Sequence, residues 1–277
     1  MLLNNLIAEL EKKHGCKAGC VILDADTGEC FASYDPEYVF KSASLIKTPI
    51  MLYALSEVEK GVLSLDTIIP VEDRHCVGDH DIVIKDGRNV TLSMLLEHMI
   101  TKSNNTATNV LIDYFTMDKV NAYSRMIGLK DTVLRRHMLD YEAARQGREN
   151  RTTALDNANM YLMLHKGKTL SPFQCEVSLP ILMRQYDKEL IMFHNPRQKA
   201  AHKTGGLFDI AHDAGILYGE KRNLVFAALC TAPSDATCIA FLQELSPRVL
   251  ELLLAFFRMH PKHRTLPSLV PGGIAAR

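Results

Sequence analysis

Leucines and isoleucines in the opening MLLNNLIAELEKKHG recur at helical spacing between polar residues, which predicts an amphipathic first helix. The period then shortens. Gly19 to Leu23 and Glu29 to Ser33 are runs of strand length separated by the turn-rich Asp24-Ala25-Asp26-Thr27-Gly28, a hairpin signature. From Ser44 to about Lys60 the pattern is helical and stops at Gly61. Ile82 to Val90, broken by Asp86-Gly87, predicts a second small hairpin, and Thr91 then caps a helix through Leu95, Leu96 and Met99. Helical segments follow near 105 to 114 and 117 to 127, after which Lys130 to Arg151 is polar and aperiodic. A structureless loop of that length inside a compact fold is commonly functional.

Thr153, with Asp156 three residues later, predicts a capping box opening a helix to His165, and Ser171-Pro172 opens another. Residues 200 to 206, 210 to 219 and 223 to 231 predict three strands, the last two joined at Glu220-Lys221-Arg222-Asn223, and a long amphipathic helix runs from about Ser234 to Met259. This order predicts an α/β three-layer sandwich: one antiparallel five-stranded sheet built from both ends of the chain, terminal helices on one face and an all-helical lobe on the other. A chain of 277 residues with 47% hydrophobic content supports one compact unit over 1–260. Its α/β part spans 1–43 and 200–260 and its helical lobe 44–199, with 261–277 a flexible tail.

Composition excludes several function classes. Lys plus Arg and Asp plus Glu both number 32, so no global field recruits nucleic acid or an anionic membrane surface. The apolar stretch from Leu252 to Phe257 is too short to span a bilayer, and the opening lacks the n-region and h-region of a secretory leader. A cytoplasmic monomer is expected as the sequence stands, or an extracytoplasmic one if a leader has been removed. Seven cysteines, an odd number without framework spacing, predict reduced thiols, and the Cys16-x3-Cys20 pair has no second pair to complete a zinc site. His75, Cys76, Asp79, His80 and Asp81 match no standard ligand spacing and predict a polar loop near the mouth of a site. No metal or organic cofactor is expected.

Ser44-Leu45-Ile46-Lys47 brings a hydroxyl and an amine onto one helical face. A serine needs a base to become a nucleophile, a lysine kept neutral by its surroundings can serve, and a helix N-terminus favours a developing oxyanion. The motif alone is weak. It gains force from Ser103-Asn104-Asn105 after a helix and from Lys203-Thr204-Gly205-Gly206 on a predicted strand, in that order. Together the three resemble the S-x-x-K, S-x-N and K-T-G set of class A β-lactamases and low-molecular-weight penicillin-binding proteins, over roughly Leu6 to Phe257. The resemblance implies a small-molecule substrate and roles position by position. Ser44 would be the nucleophile, Lys47 the general base and Ser103 the hydroxyl that passes a proton to the leaving nitrogen. Asn105 would bond the substrate amide, Lys203 and Thr204 would hold a substrate carboxylate, and Gly205 would let the strand approach the acyl group. The backbone N–H groups of Ser44 and Gly206 would form the oxyanion hole.

One station departs from the family. Arg136 and Thr152-Thr153 fit its loop, but Met138 stands where a deacylating glutamate belongs and Arg151 where an aspartate belongs. Asp140 and Glu142 are the nearest acids, and either reaches the site by a different loop path or pairs with Arg136, Arg145 or Arg148. Three functions therefore stand open: a β-lactamase or related amide hydrolase, a DD-peptidase-like enzyme on small peptides, and a sensor that stays acylated.

Overall fold

The computed structural model describes residues 2–78, 89–167 and 169–254. The opening helix is α1 (Leu2–His14), and the first hairpin pairs β1 (Lys17–Asp24) with β2 (Cys30–Tyr34). A short β3 (Phe40–Lys41) leads through a 3-10 turn into α2 (Lys47–Glu59). Next come β4 (Ile68–Pro70), β5 (Asn89–Thr91), α3 (Leu92–Thr101), α4 (Asn105–Phe115) and α5 (Met117–Met126). The polar loop carries α6 (Tyr141–Arg145), and β6 (Arg151–Thr152) precedes α7 (Ala154–Lys166) and α8 (Pro172–Met183). Strands β7 (Ala200–Leu207), β8 (Ile210–Tyr218) and β9 (Asn223–Thr231) and helix α9 (Asp235–Leu254) complete the described fold.

The main sheet is antiparallel with order β2-β1-β9-β8-β7, so the two ends of the chain do build it together. Its strands separate their side chains by the period of two. Cys20 and Ile22 of β1, with Phe226 and Ala228 of β9, enter one core with Ile7 of α1 and Phe241, Leu242 and Leu245 of α9. Val21 and Leu23, with Val225, Ala227 and Leu229, enter the other with Ile50 and Leu52 of α2 and Tyr161 of α7. Covering on both faces explains why β1, β8 and β9 are almost continuously apolar rather than alternating. Helix α7 lies directly on the second face, against β1, β8 and β9, and α8 packs beside it against β7. Among the described residues no helix is long and apolar enough to cross a membrane.

Three local expectations need amendment. Ser44 does not begin the helix; it lies in the Ala43–Ile46 3-10 turn that feeds α2. Thr153 caps α7 by accepting from Asp156 N–H, but the Asp156 carboxylate turns away to accept from Lys130 and Asp131 N–H and from the Thr132 hydroxyl, so the box is open. The full box forms at Ser171 and Gln174 instead. Of the expected 82–90 hairpin, Asn89 and Val90 belong to β5 and pair with β4, and the remainder lies outside the described residues, as do Asp79, His80, Asp81, the end of the last helix and the 261–277 tail.

Candidate active site

The site is assembled where β3 turns into α2. Phe40 and Lys41 pair with Thr152 and Arg151, and Ser42 N–H donates to the Asn150 carbonyl at 2.8 Å, which fixes the approach to Ser44 from one side. His212 of β8 fixes it from below: buried, its Nε2 donates to the Lys41 carbonyl at 2.9 Å while Nδ1 accepts from Cys230 N–H at 3.1 Å. Burial holds this imidazole down to about 4, so it is neutral and structural. Ala43 then adopts φ +44°, Ser103 φ +56° and Leu139 φ +60°. Two of the five described non-glycine residues with positive φ, Ala43 and Ser103, therefore flank the site and a third, Leu139, follows Met138 on the 130–151 loop, each at a cost of roughly 1–3 kcal/mol that the surrounding fold sustains.

Ser44 lies in the 3-10 turn and Lys47, three residues on, is the first residue of α2, a spacing that puts the two side chains on neighbouring positions of one face. Lys47 is fully buried, and its ammonium donates to the Ser103 carbonyl at 2.6 Å, to Ser103 Oγ at 3.1 Å and to Asn105 Oδ1 at 2.8 Å. Asn104, between them, turns away and caps α4, accepting from Ala107 N–H at 2.7 Å. Its neighbours are thereby left facing the site.

Lys203 closes the far side. It too is fully buried, and its Nζ donates to Ser103 Oγ at 3.1 Å and to the Thr204 carbonyl at 2.9 Å. The Ser103 oxygen thus accepts from both lysines, which leaves its own proton free to be donated. Burial pushes Lys203 down to about 7, against the opposite pull of Asp187 and Asp213. Thr204 is nearly buried and Gly206 is exposed. A Cβ on Gly205 would lie 3.1 Å from Ser44 N and 3.2 Å from Ala43 Cβ, so β7 meets the Ser44 turn too closely for a side chain. The alternate residue, His202, faces away and pairs in the opposite core with Asp213 at 2.8 Å and Lys188 at 3.0 Å.

The loop from 130 to 151 is held by contacts that sequence spacing did not reveal. Arg136, nearly buried, pairs with Glu149 through Nη2 at 2.7 Å and Nε at 2.8 Å. Asn150 Oδ1 accepts from Arg135 and Arg136 N–H, and its Nδ2 donates to the Arg136 carbonyl. Arg136 thus finds its acid at Glu149, while Arg151 is exposed. Asn109, one turn after Asn105 on α4, holds the buried Met138. Asp140 caps α6 by accepting from Ala143 N–H at 2.9 Å, while the exposed Glu142 pairs with Arg145 and with Gln146. Of the expected site residues, Ser103, Asn105, Lys47 and Lys203 are brought into one bonded cluster, with Ser44 and Gly205 in contact range of each other; Asp140 and Glu142 have partners of their own elsewhere. Asp140, Met138 and Leu139 line a cleft of about 320 Å³ with Arg74, Asp113 and His137. His75 is buried there against Asp113 at 3.1 Å. Among the described residues no group of three ligand-type side chains is arranged to hold a metal ion.

The beta-lactamase enzyme family matches residues 2–253 of this chain. A beta-lactamase of Rhodobacter capsulatus is 27% identical over 128 residues, 46% of this chain and 43% of that protein. A D-alanyl-D-alanine carboxypeptidase of Mycobacterium tuberculosis is 29% identical over 118 residues, 40% of this chain and 39% of that protein. The matches therefore span about two fifths of these relatives' length. Among solved structures, a beta-lactamase from Sphaerobacter thermophilus superposes with TM-score 0.81 at 26% identity, covering 91% of this chain and 96% of its own. A leucine-to-glutamate mutant of PBP-A, solved as an acyl-enzyme complex with penicillin G, superposes with TM-score 0.82 at 25% identity and the same coverage.

Proposed function

The chain belongs to the beta-lactamase enzyme family, and from that premise we propose that it is a serine hydrolase acylated at Ser44 by β-lactams or D-alanyl peptides. The observation that carries the reading is the Ser103 hydroxyl, held at 3.1 Å by both Lys47 and Lys203 beside the Ser44 turn. Lys47, in its neutral form, takes the Ser44 proton as Oγ attacks the carbonyl carbon. The negative charge moves to the carbonyl oxygen, where the N–H groups of Ser44 and Gly206 receive it. As the intermediate collapses the C–N bond breaks, and Ser103 gives its proton to the departing nitrogen and is reprotonated by Lys47. Asn105 orients the acylamino side chain. Lys203 and Thr204 bind the substrate carboxylate by charge-assisted hydrogen bonds. Water then cleaves the acyl ester.

Release is the slow half of this cycle in our proposal, because Met138 offers no base to the attacking water and Asp140 and Glu142 are engaged elsewhere. Trapping of this kind suits a peptidase-like enzyme as well as a weak lactamase, and both curated relatives fit that range by their names. The deciding experiment is intact mass spectrometry over time with benzylpenicillin. An adduct of the whole penicillin mass should build up on the protein and decay slowly, and Ser44→Ala should abolish it. An adduct that survives Ser44→Ala would sink the assignment, as would the absence of any adduct with both penicillin and D-alanyl thioesters.

A further inference from the structure

Four of the seven cysteines leave the sequence unpaired but meet in space. Cys20 and Cys230 face the core beneath the terminal helices, Cys238 reaches the same core from α9, and Cys16, just before β1, packs against its edge. The register explains the convergence: Ala18 stands opposite Cys230, so Cys16, two residues upstream on the same side, is the diagonal neighbour of Cys230. The Cys230 thiol has the Cys16 thiol as a neighbour on one side and the Cys238 thiol on the other, while Cys16 Sγ donates to the Glu11 carbonyl at 3.9 Å and Cys238 Sγ to the Asp209 carbonyl at 3.7 Å. Cys16 is the one member that remains partly open to solvent; Cys20, Cys230 and Cys238 are buried.

We propose that Cys16 and Cys230 form a thiol–disulfide site, with Cys16 the residue that meets a hydroperoxide and Cys230 the residue that closes the bond. Partial exposure and a hydrogen-bond donor beside the sulfur are what distinguish a reactive thiol from an inert core thiol. The Cys230 donor and, more weakly, Lys17 hold Cys16 below the usual thiol range in spite of its partial burial and the opposing charge of Glu11. Its two thiol neighbours drive Cys230 up and burial raises Cys20; Cys238 is lowered as Cys16 is, but it is buried, which leaves the partly exposed Cys16 as the thiol a hydroperoxide can reach. In the first step Cys16 sulfur attacks the outer peroxide oxygen; the O–O bond breaks, the alcohol leaves, and Cys16 becomes a sulfenic acid. In the second, Cys230 sulfur attacks Cys16 sulfur; the S–O bond breaks and the hydroxide departs as water with the Cys230 proton. Two thiols and one hydroperoxide thus give one disulfide, one alcohol and one water. The bond would tie the start of β1 to the end of β9, the strand that also donates Cys230 N–H to His212.

The test uses the full chain, native and folded, treated with hydrogen peroxide and then alkylated and mapped by peptide mass spectrometry. A Cys76→Ser background removes the one exposed cysteine among the described residues. The expected result is a protein lighter by two hydrogens, a linked Cys16–Cys230 peptide, loss of alkylation at those two positions only, and full recovery with dithiothreitol. In Cys230→Ser the Cys16 sulfenic acid should persist and be captured by dimedone, and in Cys16→Ser no disulfide should form. A Cys230–Cys238 link, or oxidation that leaves Cys16 alkylatable, overturns the proposal. The mapping of the parent protein decides this alone if either serine variant fails to fold.

Discussion

Asn109 grips Met138 by both of its backbone groups: Oδ1 accepts from Met138 N–H at 2.8 Å, and Nδ2 donates to the Met138 carbonyl at 3.3 Å. The loop at this point is therefore held through its main chain as well as by the buried Met138 side chain. Met138→Glu should keep the path and supply the missing base. Positioned acid–base catalysis is worth roughly 100-fold to 10,000-fold, so deacylation of the benzylpenicillin adduct should accelerate by a factor in that range while acylation changes little. Stopped-flow acylation and adduct-decay rates measure the two separately, and an unchanged decay rate would exclude Met138 as the reason for slow release.

If Asp140 and Glu142 are structural, their removal has a different signature. Asp140→Asn keeps a side-chain oxygen that caps α6 as well as the carboxylate does and should leave stability nearly unchanged, and Glu142→Gln disturbs only a surface pair with Arg145. Neither should slow adduct decay. A large loss of release in either variant would show that a displaced carboxylate serves the water after all.

Glu149 predicts the third outcome. Arg136 is 7% exposed and Glu149 accepts two of its N–H bonds, so Glu149→Ala strands a nearly buried guanidinium. Breaking such a pair costs about 3 kcal/mol, and the 130–151 loop should become the first site of limited proteolysis. Arg151→Ala, at an exposed position, should do neither. Equal effects in the two variants would contradict the assignment of the clasp.

The sheet and most helices were legible because their signals are local: nearly continuous apolar runs of strand length in β1, β8 and β9, caps at Thr91 and Ser171, and breaks at Gly61 and the 24–28 turn. The three motifs were legible because each is contiguous. What the sequence hid lies in pairings between distant segments. Nothing in the spacing says that Glu149 pairs with Arg136, that Asn109 reaches Met138 twenty-nine residues away, or that Ser44 sits on a 3-10 turn with Ala43 in a left-handed conformation. Asp156 was misread for the same reason, since a box motif cannot reveal that three donors from 130–132 compete for the carboxylate.

Gly205→Ala tests the closeness of β7 to the nucleophile. Its Cβ would press on Ser44 N at 3.1 Å, Ala43 Cβ at 3.2 Å and Leu45 N at 3.3 Å, all on a strained turn with little freedom to retreat. The Ser44 N–H is one of the two proposed oxyanion donors, and losing one such donor costs about 100-fold to 1,000-fold. Since the donor is displaced rather than removed, acylation should fall by about 10-fold to 100-fold with the melting temperature little altered. Unimpaired acylation would mean that the oxyanion is received elsewhere.

Lys203 makes the sharpest pH prediction. Its buried ammonium is held down to about 7, so it is charged below that pH and neutral above it. Capture of a carboxylate-bearing penicillin should therefore decline as pH rises through about 7, approaching about tenfold per pH unit, whereas a neutral ester acylated by the same Ser44 should show no such decline. Lys203→Ala should remove the descending limb and weaken penicillin capture by about 10-fold to 100-fold, the worth of a charge-assisted bond, with a much smaller loss for the ester. Stability supplies an independent readout. The folded pKa lies below the unfolded one, so the unfolded chain binds more protons between about 7 and about 10.4, and native stability rises with pH across that window. The burial penalty is absent above it and fully present below it. Lys203→Met should accordingly stabilise the fold most at pH 6 and least near pH 10, measured by urea denaturation at each pH. A gain independent of pH, together with parallel pH profiles for penicillin and ester, would show that Lys203 is neither strained by burial nor the group that holds the carboxylate.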